Sequence, residues 1–386
     1  MKVKSAPTAD RGAFRFVRAG AIGFSVLFAI IAFWATWILY TKPIAMDFLS
    51  YWAASRLALT GHLASVYTLE AHHALEETIA PIKNGWLPFA YPPPFLLVVG
   101  LLGLAPFWLA FFMWVAITST IYAFAVGRNG ALPYAMAHPS VLANFLIGQN
   151  GFLTTSIIAI GLRVIATRPL AGGAILGLLV IKPQLALVLP FAMIAGRQWK
   201  AIAGGIASAA LALLIALLVF GWTAYQGFLS MLPIFTTGMA NSQWPWNELA
   251  SVFASMRFLG ASQPVALSMQ AAVAIFAIVL VCRAWWLDLD GKAPMVAAAT
   301  LLVPPYLFTY DALLLVIPML WLIERERHLW VIPVGWLLCL LPIATYFDYY
   351  PGPNTVPLAA LLCLWALHAP KKHCAIAAGA HAPVPA

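Results

Sequence analysis

Apolar stretches of about 15 to 25 residues recur from Val17 to His368, separated by short polar or basic breaks. A helix of about 20 apolar residues spans a hydrocarbon core of roughly 30 Å. In lipid every backbone polar group must be bonded within the chain, which helices and closed barrels achieve, and these runs lack the period-2 alternation of barrel strands. The pattern predicts an all-α, polytopic transmembrane protein with helices at about 19–41, 94–126, 131–148, 150–167, 169–181, 184–195, 198–220, 264–286, 293–308, 311–323, 329–346 and 354–368. Two of these, 169–181 and 184–195, are short enough to be tilted half-helices or a dip that returns, so about 10–12 crossings are expected. The first run is longer than a secretory apolar core and is read as a retained anchor.

Two segments are too long and too polar for tight turns: 42–93 and 221–263. In the first, Leu57, Leu63, Val66, Tyr67, Leu69, Leu75 and Ile79 recur at roughly helical spacing, which predicts amphipathic helices lying on the membrane. The second carries Trp222, Tyr225, Trp244, Trp246 and Phe253, residue types that settle at the headgroup level. Residues 1–18 form a basic N-terminus, 19–368 the membrane body, and 369–386 a tail without the apolar periodicity to fold alone.

Composition agrees with this picture: 63% of the 386 residues are hydrophobic and 9% charged, against about 25% charged in soluble domains. The net charge of +9 would suit nucleic acid, but its placement suits lipid. Basic residues cluster at Lys2, Lys4, Arg11, Arg15 and Arg18; Arg128; Arg163 and Arg168; Arg197 and Lys200; Arg283 and Lys292; Arg325 and Arg327; and Lys371 and Lys372. The positive-inside rule puts these, and both chain ends, in the cytoplasm. Of the 21 Lys and Arg, only Lys42, Arg56, Lys83, Lys182 and Arg257 remain outside or in the membrane. Cys282, Cys339, Cys363 and Cys374 show no C-x-x-C pairing, which speaks against a disulfide framework or zinc site. No nucleotide-binding glycine loop is present, and no cofactor is expected.

Of the twelve carboxylates, Asp10, Asp288, Asp290, Glu324 and Glu326 read as solvated cytoplasmic charges beside Lys or Arg. Asp47, Glu70, Glu76, Glu77, Glu248, Asp311 and Asp348 map outside. Asp47 follows the first membrane helix within the aromatic stretch Met46–Trp52. A partly desolvated carboxylate there is a better proton acceptor, provided a cation or hydrogen bond keeps it ionised; an ordinary interfacial acid is the plainer reading. Asp311 lies between two apolar runs, where facing lipid would cost about 2.5–3.5 kcal/mol, so it faces a cavity or the outer surface. Lys182 interrupts an apolar stretch just before Pro183 and needs an anion or a water route; a phosphate is one such anion, and snorkelling at a short turn the alternative. Gln149 and Asn150 place two amides between helices, as suits sugar hydroxyls or a plain glycine-capped turn. Ala90–Pro94 reads as a rigid, extended hinge, with Tyr91 able to line a sugar site. His62, His72 and His73 make no convincing metal constellation.

Five segments in order, MDFLSYWAASRLALTGHLASVY (46–67), FAYPPPF (89–95), NFLIGQNGF (144–152), AGGAILGLLVIKPQLAL (171–187) and YDALLL (310–315), resemble the successive landmarks of glycosyltransferase family 87. The resemblance implies a GT-C fold with an outward site that uses a polyprenyl-phosphate-linked sugar, often mannose, as donor substrate. It also implies that Asp47, matching the acid of the first extracytoplasmic loop, is the general base. Lys182 and Gln149-Asn150 match the family's lysine and amide landmarks. Where the actinobacterial mannosyltransferases carry a histidine-rich late loop, this chain has Phe308-Thr309-Tyr310-Asp311, which bears on sugar and acceptor. The combined expectation is Asp47 as base, Lys182 on the donor phosphate, and Tyr91, Gln149, Asn150, Tyr310 and Asp311 shaping the sugar and acceptor sites. Its partners would be the bilayer, the lipid-linked donor and a glycolipid or glycan acceptor, with no nucleic acid. A transporter or flippase of lipid-linked saccharides would use the same residue types; the lack of a visible internal repeat weighs against it.

Overall fold

The computed structural model describes residues 8–41, 47–80, 87–241, 245–347 and 351–368. Expectations for Lys42, Lys83, Trp244, Asp348, Cys374 and the tail 369–386 lie outside the described residues. The first apolar run forms one helix, α1 (Thr8–Thr41), and the polar segment after it folds as α2 (Asp47–Leu59) and α3 (Leu69–Glu77) around a 3-10 turn at Leu63–Tyr67. These elements follow the predicted spacing and bury Val66 and Tyr67.

Prolines divide the next runs. The stretch expected as one helix over 94–126 is α4 (Pro94–Val99) and then α5 (Phe107–Val126), which starts after Pro106; 131–148 divides into α6 (Leu132–Met136) and α7 (Pro139–Ile147). Proline lacks the N–H a helix interior needs, while its fixed φ suits a first turn. For the same reason the Tyr91–Pro94 stretch is not wholly extended as expected: Pro93, at φ −50° and ψ −31°, already leads into α4.

Then come α8 (Gly151–Ile165), α9 (Pro169–Gly177), 3-10 turns at Leu178–Ile181 and Pro183–Ala186, and α10 (Leu189–Ala195). The following segment, α11 (Trp199–Ala240), is two helices joined at Gly221, the first of which stops at the end expected at 220. At Gly221 the backbone adopts φ 71° and ψ 176° and the helix resumes, a conformation open almost only to glycine. Half of the expected 221–263 loop is therefore helix. The chain closes with α12 (Val252–Phe258), α13 (Gln263–Trp286), α14 (Lys292–Thr300), a 3-10 segment at Thr309–Leu315, α15 (Val316–Glu324), α16 (Val331–Leu340) and α17 (Val356–His368).

Among the described residues, four helices are long and apolar enough to cross a membrane individually: α1, α5, α11 and α13. The other expected crossings are built from shorter apolar helices, α8 and α17 among them. No strand forms among the described residues; one isolated bridge pairs Leu249 with Phe308. The protein is an all-α polytopic membrane protein.

Lipid tails are as apolar as leucine, so helices in a bilayer associate through close backbone packing at small residues. The seam between α9 and α11 shows this. A Cβ at Gly173 would sit 1.9 Å from the Ala201 carbonyl oxygen, and one at Gly204 2.1 Å from that of Leu170; Ser208 Oγ donates to Ala174 O at 2.7 Å. Gly173→Leu is expected to part the two helices and destabilise the protein by about 1–3 kcal/mol or more. Gly23→Leu, with nothing within 4 Å of its Cβ position, is expected to leave the unfolding midpoint in detergent unchanged.

Candidate active site

Five separate backbone features bring polar side chains together around one cavity. Asp47 opens α2, with Ser50 and Tyr51 one turn further on. Tyr91 stands before α4, its carbonyl held by the Tyr67 hydroxyl at 3.0 Å. The α7–α8 turn presents Gln149 and Asn150 because Gly148 adopts φ 66°, a left-handed turn where glycine carries no side-chain penalty. Trp114 Nε1 donates to Gly148 O at 2.9 Å. Asn144 bolts this turn to the late segment, accepting from Gly151 N at 2.8 Å and donating to Tyr310 O at 2.9 Å. Lys182 lies between two 3-10 turns at φ −148°, ψ 72°, at the break that Pro183 imposes. Asp311 belongs to the Thr309–Leu315 segment.

These residues form two connected groups. In the first, Gln149 Nε2 donates to Asp47 Oδ2 at 2.7 Å. Gln149 Oε1 accepts from the Tyr51 hydroxyl, from the Tyr91 hydroxyl at 3.2 Å and from Asn150 N at 3.2 Å. The two tyrosine oxygens are 2.9 Å apart. Three donors on Oε1 fix which way the amide points, so its NH₂ must face Asp47. Asp47 is half-buried. Burial raises its pKa, against the opposing pull of the Gln149 hydrogen bond and the Lys182 charge.

In the second group, Lys182 Nζ donates to Asp311 Oδ1 at 2.6 Å and reaches Asn150 Oδ1 at 3.4 Å. It also lies 4.7 Å from the centroid of the Tyr310 ring, which stacks on Phe308. Asp311 Oδ2 accepts from Phe308 N at 3.2 Å, so this carboxylate also closes its own turn. Lys182 and Asp311 are 2% and 1% exposed, too deep for a snorkelling lysine; the anion the lysine needs is Asp311. Asn150 joins the groups through its backbone and side chain.

All seven residues singled out from the sequence are thus brought together, and six of them line a cavity of about 280 Å³. Asn150 is fully buried behind it. Phe228, Leu232 and Phe235, on α11 beyond Gly221, supply an apolar wall. Sequence reasoning passed over Tyr51, Ser50 and Glu248, which also line the cavity. Glu248 is pushed up to about 7 by burial, with the charge of Asp47 adding to the shift. Glu248 was placed among the outer acids without a role, and for Ser50 and Tyr51 the signal was their helical spacing from Asp47.

The outer histidines stand apart. His72 Nε2 meets Glu76 Oε1 at 3.2 Å and His73 Nε2 meets Glu77 Oε1 at 3.2 Å. His62 Nδ1 lies 3.0 Å from Thr60 Oγ1. Among the described residues no group of three His, Cys, Asp or Glu is placed to hold a metal ion.

A helical membrane protein that gathers a carboxylate, a lysine, amides and tyrosines into one cavity has the features of a membrane-bound enzyme. A model of glycosyltransferase family 87 matches residues 89–318, more than half of the chain, and the chain belongs to that family. It is a glycosyltransferase. The match includes Tyr91, Gln149, Asn150, Lys182, Glu248, Tyr310 and Asp311, whereas Asp47 precedes it and is tied to the rest by the Gln149 hydrogen bond. No curated protein and no solved structure matches the chain.

Proposed function

We propose that this glycosyltransferase transfers a hexose, with inversion, from a polyprenyl-phosphate-linked donor to a lipid or glycan acceptor. The observation that carries the reading is Asp47, held by Gln149 in the cavity that Lys182 also lines. Asp47 is the general base: its free oxygen takes the proton of the acceptor hydroxyl while the acceptor oxygen attacks the anomeric carbon. The bond from that carbon to the phosphate oxygen breaks, and the phosphate leaves with the electron pair. One carboxylate and one cation suffice for such a displacement. Lys182 faces the departing phosphate with Asp311 as its standing counter-ion. Tyr91, Gln149, Asn150 and Tyr310 shape the sugar site, and the apolar α11 wall borders the route for a lipid chain. A hexose of the mannose type fits this reading.

The protein sits in the cell membrane as a multi-pass enzyme, both termini cytoplasmic and the cavity extracytoplasmic. The basic clusters support this orientation. Purified enzyme in lipid discs is expected to transfer radiolabel from a polyprenyl-phosphate hexose and not from a nucleotide sugar; the reverse preference would overturn the donor assignment. Single cysteines at His62 and Arg168 are expected to react with an impermeant thiol reagent from the outside and from the inside, respectively.

A protonated Asp47 cannot accept a proton, so transfer falls as pH drops through its pKa. Because burial raises that pKa, the acid limb of kcat/KM is expected above the about 3.9 of an ordinary aspartate. An acid limb at the ordinary value would place the base elsewhere.

A further inference from the structure

The cavity wall holds two polar groups that no other described residue satisfies. The Ser50 hydroxyl is 4% exposed and has no hydrogen-bond partner. It lies three residues after Asp47 on α2, and therefore on the same helical face. Glu248 is the second. Asp47 bonds Gln149 and Asp311 bonds Lys182 and Phe308 N, while no hydrogen bond or ion pair joins the Glu248 carboxylate to another described residue.

The Glu248 backbone is nevertheless tightly fixed. Its carbonyl accepts from Thr309 N at 3.2 Å and from Thr309 Oγ1 at 3.0 Å. Ala250 N donates to Leu307 O at 2.6 Å. Asn354 Nδ2 ties Asn247 O to Thr309 Oγ1, at 3.0 Å and 2.9 Å. A loop held this firmly against the segment that carries Tyr310 and Asp311 keeps its side chain in the cavity. Leaving the buried Ser50 hydroxyl unpaired is unfavourable unless a ligand completes it, and the half-buried Glu248 carboxylate is available to the same ligand. Glu248 lines the same cavity as Ser50 and Asp47, and the charge of Asp47 adds to the rise of its carboxyl.

We propose that Ser50 and Glu248 form the acceptor subsite beside Asp47, and that the acceptor is polyhydroxylated, offering a second hydroxyl next to the one that reacts. The assignment rests on the glycosyl-transfer reading and names the acceptor class of that same site. Glu248 binds the second hydroxyl, and Ser50 hydrogen-bonds the same headgroup. The reacting hydroxyl gives its proton to Asp47. With its carboxyl pushed up to about 7, Glu248 both accepts from and donates to hydroxyls at neutral pH. A sugar or polyol headgroup meets this requirement, and a plain long-chain alcohol does not.

The test uses full-length enzyme in lipid discs at saturating donor, with octyl hexosides, their monodeoxy analogues and octanol as acceptors. Glu248→Ala is expected to raise the acceptor KM about ten- to hundredfold, with donor KM unchanged and kcat nearly so. Glu248→Gln, which keeps a hydrogen-bonding head, is expected to recover part of the loss. One monodeoxy hexoside is expected to be as poor for wild-type enzyme as the parent hexoside is for Glu248→Ala, and that variant no longer distinguishes the two. An unchanged acceptor KM in Glu248→Ala, a change in donor KM instead, or wild-type transfer to octanol and to no hexoside would overturn the proposal. An enzyme that turns over a nucleotide sugar and not the lipid-linked donor would sink the donor assignment alone, and the acceptor series is then read with that donor.

Discussion

Asp47→Asn is expected to lower kcat about 10²–10⁴-fold, the range that general base catalysis contributes, while the KM of donor and acceptor stay near wild type. The substitution is close to isosteric, and an Asn carbonyl can still accept the Gln149 Nε2 hydrogen bond that holds Asp47 at 2.7 Å. Position and cavity shape therefore persist, and only the capacity to take a proton is removed. A loss confined to kcat separates this from a binding role, which would appear in KM. Steady-state kinetics on protein with an unchanged unfolding midpoint measure it. A fall of less than tenfold would remove Asp47 as the base and leave Glu248, whose carboxyl is pushed up to about 7, as the next group to examine.

The site residues legible in the sequence were those that break a lipid-facing pattern. Lys182 and Asp311 interrupt apolar runs at positions where an unpaired charge would be costly, so each demanded a partner, although not that each was the other's. Their pairing across 129 residues depends on the Lys182–Pro183 break and the Thr309–Leu315 segment meeting in space. Tyr51 was hidden because an aromatic at a membrane boundary is ordinary; its role appears only when Gln149, 98 residues away, reaches its hydroxyl. Glu248 was hidden because a carboxylate in a long polar segment is ordinary too. Its place is set by backbone bonds to Thr309, 61 residues on, which no local pattern encodes.

The fold shows the same division. Hydropathy predicted a helical membrane protein and the helical character of residues 47–77. It misjudged where single helices end at Pro106 and Pro139, which fall inside otherwise uniform apolar runs, and it missed that a second helix resumes directly after the break at Gly221. That break matters for the site, since the continuation past it brings Phe228, Leu232 and Phe235 to the cavity.

Removing either member of the buried Lys182–Asp311 pair leaves the other unpaired at 1–2% exposure, which typically costs about 3–5 kcal/mol. Lys182→Met and Asp311→Asn are each expected to lower the unfolding midpoint sharply, whereas the double variant Lys182→Met/Asp311→Leu regains most of it, because both charges are gone. The two single variants then part company when ligand is added. In Asp311→Asn the lysine has lost its anion while its ammonium remains in the cavity wall, so a polyprenyl phosphate can supply the missing charge. The midpoint is expected to rise with added lipid phosphate by more than it does for wild type, as ligand binding to the folded state alone requires. In Lys182→Met and in the double variant no cation remains there, and lipid phosphate is expected to give little rise. Transfer is lost in both of these, since the phosphate then departs without a facing positive charge. Equal stabilisation of all the variants by lipid phosphate would separate Lys182 from the donor and leave it a structural partner of Asp311.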